Sequence, residues 1–133
     1  MAVRVLVVDD AATVRLYHGS VLTAAGFTVA EAANGVEALE VVLAEVFDLF
    51  IVDVNMPRMD GYTCVAALRQ DPANARASIV MISTEDTPGD AARAYLAGAN
   101  LYLVKPVVPD RLVRVAQMLT GTARVPTAVG GGS

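Results

Sequence analysis

The sequence predicts an α/β fold: a doubly wound, five-stranded parallel sheet flanked by five helices. Three observations point there. Short apolar runs alternate with amphipathic segments along the chain, which in parallel sheets means strands joined by right-handed helical crossovers. The runs are rich in Val, Ile and Leu without polar alternation, as strands covered on both faces are. Four of them stop on a chemically capable side chain: Val5-Leu6-Val7-Val8 on Asp9-Asp10, Leu49-Phe50-Ile51-Val52 on Asp53, Ile79-Val80-Met81-Ile82 on Ser83, and Leu101-Tyr102-Leu103-Val104 on Lys105. In a parallel sheet all four endings meet at the carboxyl edge, where such folds bind ligands.

In order, strands are expected over residues 3–8, 28–32, 48–53, 78–82 and 101–104, and helices over 12–25, 35–45, 61–69, 89–97 and 110–119. Val36, Leu39, Val42 and Leu43 recur at helical spacing, and the pairs Ala25-Gly26 and Ala97-Gly98 place a glycine where a helix would end. Asp60-Gly61 forms a turn and cap into the third helix. Asp110, before Leu112, Val113, Val115, Ala116 and Leu119, is expected to cap the last one. Periodicity stops at Thr120. Residues 1–120 therefore form the domain, and 121–133 read as a flexible tail whose Gly130-Gly131-Gly132-Ser133 end is either native or a cloning scar.

At 133 residues the chain has room for one domain with a self-sufficient core. It is 55% hydrophobic, yet its apolar runs fall far short of the roughly 18 residues of a membrane span. No secretory leader opens it and its one cysteine, Cys64, lies in an apolar stretch, so a cytoplasmic protein with a packing cysteine is expected. Ten basic against fourteen acidic residues give a net charge of -4, which leaves no footprint for nucleic acid. A monomer is expected, without membrane insertion.

Asp9, Asp10 and Asp53 brought together would repel one another and be driven toward protonation unless a cation compensates. An all-oxygen set suits Mg²⁺, which commonly bridges carboxylates and phosphate oxygens. One carboxylate then remains free to attack phosphorus, with Lys105 as a compact cation and Ser83 as a hydroxyl donor to the transferring group. Singly, each ending has an ordinary explanation as a cap, turn or solvated side chain. Their joint occurrence at four strand ends favours a phosphoryl-accepting pocket.

The motifs Val8-Asp9-Asp10-Ala11-Ala12-Thr13-Val14-Arg15, Asp53-Val54-Asn55-Met56-Pro57-Arg58-Met59-Asp60-Gly61, Ser83-Thr84-Glu85 and Gly98-Ala99 followed by Tyr102-Leu103-Val104-Lys105-Pro106 occur in this order, and with them the chain resembles the receiver domain of two-component response regulators, and within that family the CheY-like chemotaxis receivers. The resemblance covers about residues 3–120 and implies a strand order of 2-1-3-4-5. It implies Asp53 as phosphoacceptor, Asp10 and Asp53 as direct Mg²⁺ ligands with the backbone carbonyl of Asn55, and Asp9 as a ligand through water. Lys105 and Ser83 would bind the phosphoryl group, and Tyr102 would turn inward as Ser83 moves, relaying the switch to the face made by the fourth helix, fifth strand and fifth helix. Asn55 and Glu85 occupy the positions that tune dephosphorylation. Ala11 and Ala12 are smaller than the residues often found there, Val107 stands where many relatives carry Phe, and Ser83 replaces the commoner Thr.

The implied function is a single-domain phosphorelay switch: it takes a phosphoryl group from a histidine kinase and changes its affinity for a partner protein, with the flagellar motor switch as the chemotaxis-type partner. Arg93, Tyr95, Arg111 and Arg114 fall on the helices of that output face, and read equally well as ordinary surface. His18, the only histidine, reads as a structural or solvent-facing helical residue rather than a phosphohistidine carrier. A Mg²⁺-dependent aspartyl-phosphate hydrolase of the haloacid dehalogenase type would want an acid two residues after its nucleophile, where this chain has Asn55. A flavin or nucleotide module would want a glycine-rich phosphate cradle after the first strand, where this chain has Asp9-Asp10. A receiver that no longer takes phosphate and serves as a fixed docking module is the remaining alternative.

Overall fold

A computed structural model describes residues 2–122 of the chain. Its strands are β1 (Arg4–Val8), β2 (Thr28–Ala32), β3 (Leu49–Asp53), β4 (Ser78–Ser83) and β5 (Leu101–Val104). Its helices are α1 (Ala12–Ala24), α2 (Gly35–Val41), α3 (Gly61–Gln70), α4 (Pro88–Ala97) and α5 (Pro109–Thr120), with a short 3-10 turn at Pro72–Asn74. The strands form one parallel sheet in the order β2-β1-β3-β4-β5, as expected. α5 ends at Thr120, and residues 123–133 of the expected tail lie outside the described residues.

Alternate residues of each strand feed two cores. Leu6, Val8, Phe50, Val52, Ile79 and Met81 pack on one face against Ala38 of α2, Val65 and Leu68 of α3 and Ala94 of α4. Val5, Val7, Leu49, Ile51, Val80 and Ile82 pack on the other against Leu22 of α1 and Leu112 and Ala116 of α5. This two-sided cover is why the strands carry no polar alternation. Cys64 is fully buried in the first core, and its thiol is pushed up to about 12 by burial and then by Asp60, so it is a packing group.

Most boundaries agree to within a residue, and three features depart further from the sequence reading. α2 stops at Val41 rather than 45, and Leu43, whose apolar character extended the pattern, is left 84% exposed. The 3-10 turn at Pro72–Asn74 was not expected, although Asp71 before Pro72 carries its signal: the Asp71 side chain accepts from Ala73 N. The Asp110 cap is corrected. The N-cap of α5 is Val108, without a side-chain bond, and Pro109 takes the first helical position, so Asp110 lies one residue inside the helix.

The other punctuation holds. Gly98 ends α4 at φ 120°, a conformation that L side chains rarely adopt. Asp60 caps α3, its Oδ1 accepting from Thr63 N at 2.9 Å. Asp60→Ala is expected to cost about 1 kcal/mol, read as a lowered urea midpoint with an unchanged slope.

At the amino edge of the sheet the Arg69 guanidinium ties four segments together. Its Nε donates to Gly98 O, its Nη1 to Asn74 O and Ala77 O, and its Nη2 to Asn100 Oδ1, all at 2.8–2.9 Å. The same Asn100 oxygen accepts from Ile79 N, so α3, the 3-10 turn, β4 and the α4–β5 loop share one knot. It lies at the opposite end of the strands from the pocket.

Candidate functional site

The four strand endings converge. β1, β3 and β4 run in register (Val8 beside Val52, Asp53 beside Ile82), and Ser83 pairs with Val104, so Asp9, Asp53, Ser83 and Lys105 emerge along one edge. One carboxylate oxygen from each of Asp9, Asp10 and Asp53 can be chosen so that all three lie within 4.8 Å of one another. Asp9 and Asp53 are 3% and 5% exposed, whereas Asp10 faces solvent, so the adjacent pair offers one buried and one open carboxylate.

Lys105 is the cation of the cluster. Its Nζ lies 3.1 Å from Asp53 Oδ1 and 3.4 Å from Asp9 Oδ2. Burial alone would lower the lysine pKa, but its hydrogen bond to Asp53 and the attraction of both carboxylates outweigh that and raise it. Asp53 moves the other way from a normal carboxylate. Burial, then repulsion from Asp9, push it up to about 6 despite the stabilising Lys105, and Asp10 adds to the rise. One lysine is too little charge for three clustered carboxylates. A dense, under-neutralised oxygen donor set fits a hard divalent cation such as Mg²⁺.

Backbone contacts fix each group. Asp9 N donates to Ala32 O of β2, and Asp9 Oδ1 accepts from Ala11 N, which turns the chain into α1. Beyond Asp53, Val54 N donates to Ile82 O and Gly61 N to Val54 O, both within 2.8–3.0 Å, so α3 starts pressed against the end of β3. Between them Met59 N reaches back to Pro57 O across Arg58, whose φ of 71° is a strained value for a side-chain-bearing residue. Asn55 is exposed on this loop.

Ser83 is fully buried, and its Oγ accepts from Glu85 N at 3.0 Å, which directs the hydroxyl to the β4–α4 loop. Tyr102 reaches the same loop: its ring packs partly buried against the first core, and its hydroxyl donates to Glu85 O at 2.7 Å. Ser83 and Tyr102 therefore meet at the two ends of one loop residue's backbone. Glu85 itself presents its side chain to solvent. Val107 is buried, filling the second core after the Lys105-Pro106 cis peptide.

His18 is a buried residue of α1, 4% exposed, and burial lowers its pKa against the pull of Asp9. A buried imidazole is a poor phosphoryl carrier, so its structural reading stands. Arg93 extends over the Tyr62 ring, its guanidinium carbon 4.3 Å from the centroid, and Tyr62 OH reaches Asp90 O at 3.4 Å. Tyr62 and Arg93 thus join α3 to α4, a contact the sequence pattern did not signal. Tyr95, Arg111 and Arg114 are exposed.

A family model described as the response regulator receiver domain matches residues 5–117. The chain belongs to the response regulator receiver family. Among curated relatives of this receiver, the chemotaxis protein CheY of Bacillus subtilis is 40% identical over 114 residues, covering 85% of this chain and 93% of that protein. A gliding motility regulatory protein of Myxococcus xanthus is 40% identical over 102 residues, 77% of this chain, but the match spans only 13% of that protein's length. The receiver thus resembles both a nearly whole small regulator and a minor part of a large one. Among solved structures, the Vibrio cholerae chemotaxis protein CheY4 superposes with a TM-score of 0.86 at 36% identity, covering 90% of this chain and 99% of that one. The receiver has the CheY-like fold, and its family places it in two-component signalling. Among the described residues no helix is long and apolar enough to cross a membrane.

Proposed function

We propose that this receiver is a phosphorylation-controlled switch in which Asp53 accepts a phosphoryl group from the phosphohistidine of a histidine kinase. The observation that carries the reading is the convergence on Asp53: a buried carboxylate at a strand end, 3.1 Å from Lys105 Nζ and clustered with the carboxylates of Asp9 and Asp10. An Asp53 oxygen forms the new P–O bond as the P–N bond to the donor imidazole breaks, and the imidazole nitrogen leaves with a proton. Asp10, Asp53 and the Asn55 carbonyl would hold Mg²⁺ directly and Asp9 through water. Bound there, the ion supplies positive charge for the carboxylates and the phosphoryl oxygens.

Lys105 sits where a cation would meet the new charge on Asp53. The phosphoryl group adds acceptors that favour a conformer in which Ser83 turns from Glu85 N toward them. Tyr102, held to Glu85 O, is then released to turn inward, and the surface of α4, β5 and α5 changes its affinity for a partner protein. Asn55 and Glu85, both exposed beside the pocket, would tune how fast water removes the phosphoryl group. The small regulator CheY as a near full-length relative supports a free-standing role in chemotaxis, with the flagellar motor switch as partner, acting as a monomer in the cytoplasm. Residues 1–120 carry this activity, which makes the chain a phosphoacceptor switch with self-catalysed phosphotransfer and autodephosphorylation rather than an enzyme acting on a separate substrate.

Incubation with Mg²⁺ and a small acyl phosphate is expected to give one phosphoryl adduct by intact mass, absent in Asp53→Asn and absent without the metal. No adduct with any donor would favour the fixed docking module. Steady release of phosphate from organic phosphomonoesters would favour the hydrolase.

A further inference from the structure

Asp10 is the least supported member of the acidic cluster. Among the described residues it makes no ion pair and its side chain no hydrogen bond, while Asp9 beside it makes several. Its carboxylate is therefore aimed by its backbone, and that backbone is set by the peptide leaving Asp9. The Asp9 carbonyl accepts from Arg15 Nη1 at 2.7 Å. Arg15 is itself fixed, since its Nε donates to Glu31 Oε1 of β2 at 2.9 Å, and its side chain is only 18% exposed. One turn further along α1, Gly19 faces the same side chain: a Cβ there would lie 3.5 Å from the other carboxylate oxygen, an ordinary contact distance.

We infer that Arg15 is a positioning residue for the metal site, holding the Asp9–Asp10 peptide in the orientation that presents Asp10 to a divalent cation, with Glu31 as the anchor that orients Arg15. The inference rests on the Mg²⁺ site proposed above. The guanidinium suits the task because its planar fork can donate from Nε and Nη1 at once, in two fixed directions, which an ammonium does not do. The geometry is that of an outer-shell support, which orients a ligand it does not itself replace. Without it the β1–α1 turn keeps Asp9 N on Ala32 O and Asp9 Oδ1 on Ala11 N, so the fold survives while the Asp9 carbonyl is free to rotate.

The test is Mg²⁺ binding by titration calorimetry on the full chain, with thermal melts in a chelator to follow the metal-free fold. Arg15→Met is expected to raise the dissociation constant about tenfold or more. Glu31→Gln should raise it by a smaller factor, and Arg15→Lys should recover only part of the loss. The metal-free melting midpoints should stay within a few degrees of one another, which separates positioning from general destabilisation. If Arg15→Met fails to fold, Glu31→Gln carries the test. Binding within twofold of the unaltered chain in every folded variant, with Asp10→Asn losing it, overturns the role of Arg15 and leaves the metal site intact. An unaltered chain that binds no Mg²⁺ overturns both.

Discussion

Gly61→Ala is expected to destabilise the receiver by about 3 kcal/mol or more and to slow phosphoryl incorporation at least tenfold. An ideal Cβ on residue 61 would lie 2.3 Å from Asp53 O, 2.8 Å from Val54 Cα and 3.0 Å from Asp53 C. All three are backbone atoms of the segment that carries the proposed acceptor, so no side chain can rotate away to make room. Either α3 backs off from β3, stretching the 2.8 Å bond from Gly61 N to Val54 O, or the end of β3 moves. Overpacking of this kind typically costs 1–3 kcal/mol, and more where backbone must yield. Displacement of about 1 Å at a reacting group is worth up to a hundredfold in rate. Urea unfolding and a time course of adduct mass measure the two effects. Asp60→Ala, next door, loses only a cap and should keep its adduct rate within a few-fold. A Gly61→Ala protein with unchanged midpoint and unchanged adduct rate would show that the contact does not govern the site.

This contact marks the limit of what the pattern of residues discloses. Asp60-Gly61 reads correctly as a turn and cap, because capping is local and Asp60 meets Thr63 three residues on. Nothing local says that residue 61 abuts residue 53. The four strand endings were legible for a related reason: buried parallel strands are continuous apolar runs, so the polar residue that stops each run marks the carboxyl edge, and register then brings the endings together without further information. Arg15, Arg69 and Tyr62 were not legible as clamps. Each acts on a backbone carbonyl or a ring brought near only by tertiary packing, and a lone arginine or tyrosine on a helix carries no periodic signal of such a partner. The α5 cap failed because an aspartate and a proline both announce a helix start, and Pro109, with φ preset and no N–H to satisfy, took the first position. The α2 end failed because Leu43 continues an apolar pattern that the fold leaves in solvent.

The second large effect comes from removing charge. In metal-free protein Asp53→Asn is expected to raise stability by about 3 kcal/mol above pH 7 and to leave it nearly unchanged near pH 4. Unfolded, the Asp53 carboxyl ionises near its ordinary value of 3.8, while in the fold it keeps its proton up to about 6, because burial and Asp9 disfavour the charged form. Between those values the folded state binds more protons than the unfolded one, so the contribution of Asp53 to stability is lost as pH rises and is fully lost once both forms are ionised. The favourable pull of Lys105 is already contained in that balance, so the amide gains by shedding the burial and repulsion that outweigh it. Lys105 keeps a hydrogen-bond acceptor in the amide oxygen. Urea midpoints of the two proteins measured in a chelator from pH 4 to pH 7.5 should diverge progressively, with most of the divergence complete just above pH 6. Saturating Mg²⁺ should shrink the gap, since an ion that binds the three carboxylates stabilises the aspartate form by mass action and gains less from the asparagine form. A difference between the two proteins that stays flat across this range would mean that Asp53 is not held in an under-neutralised cluster, and would remove the electrostatic reason for a metal at this edge of the sheet.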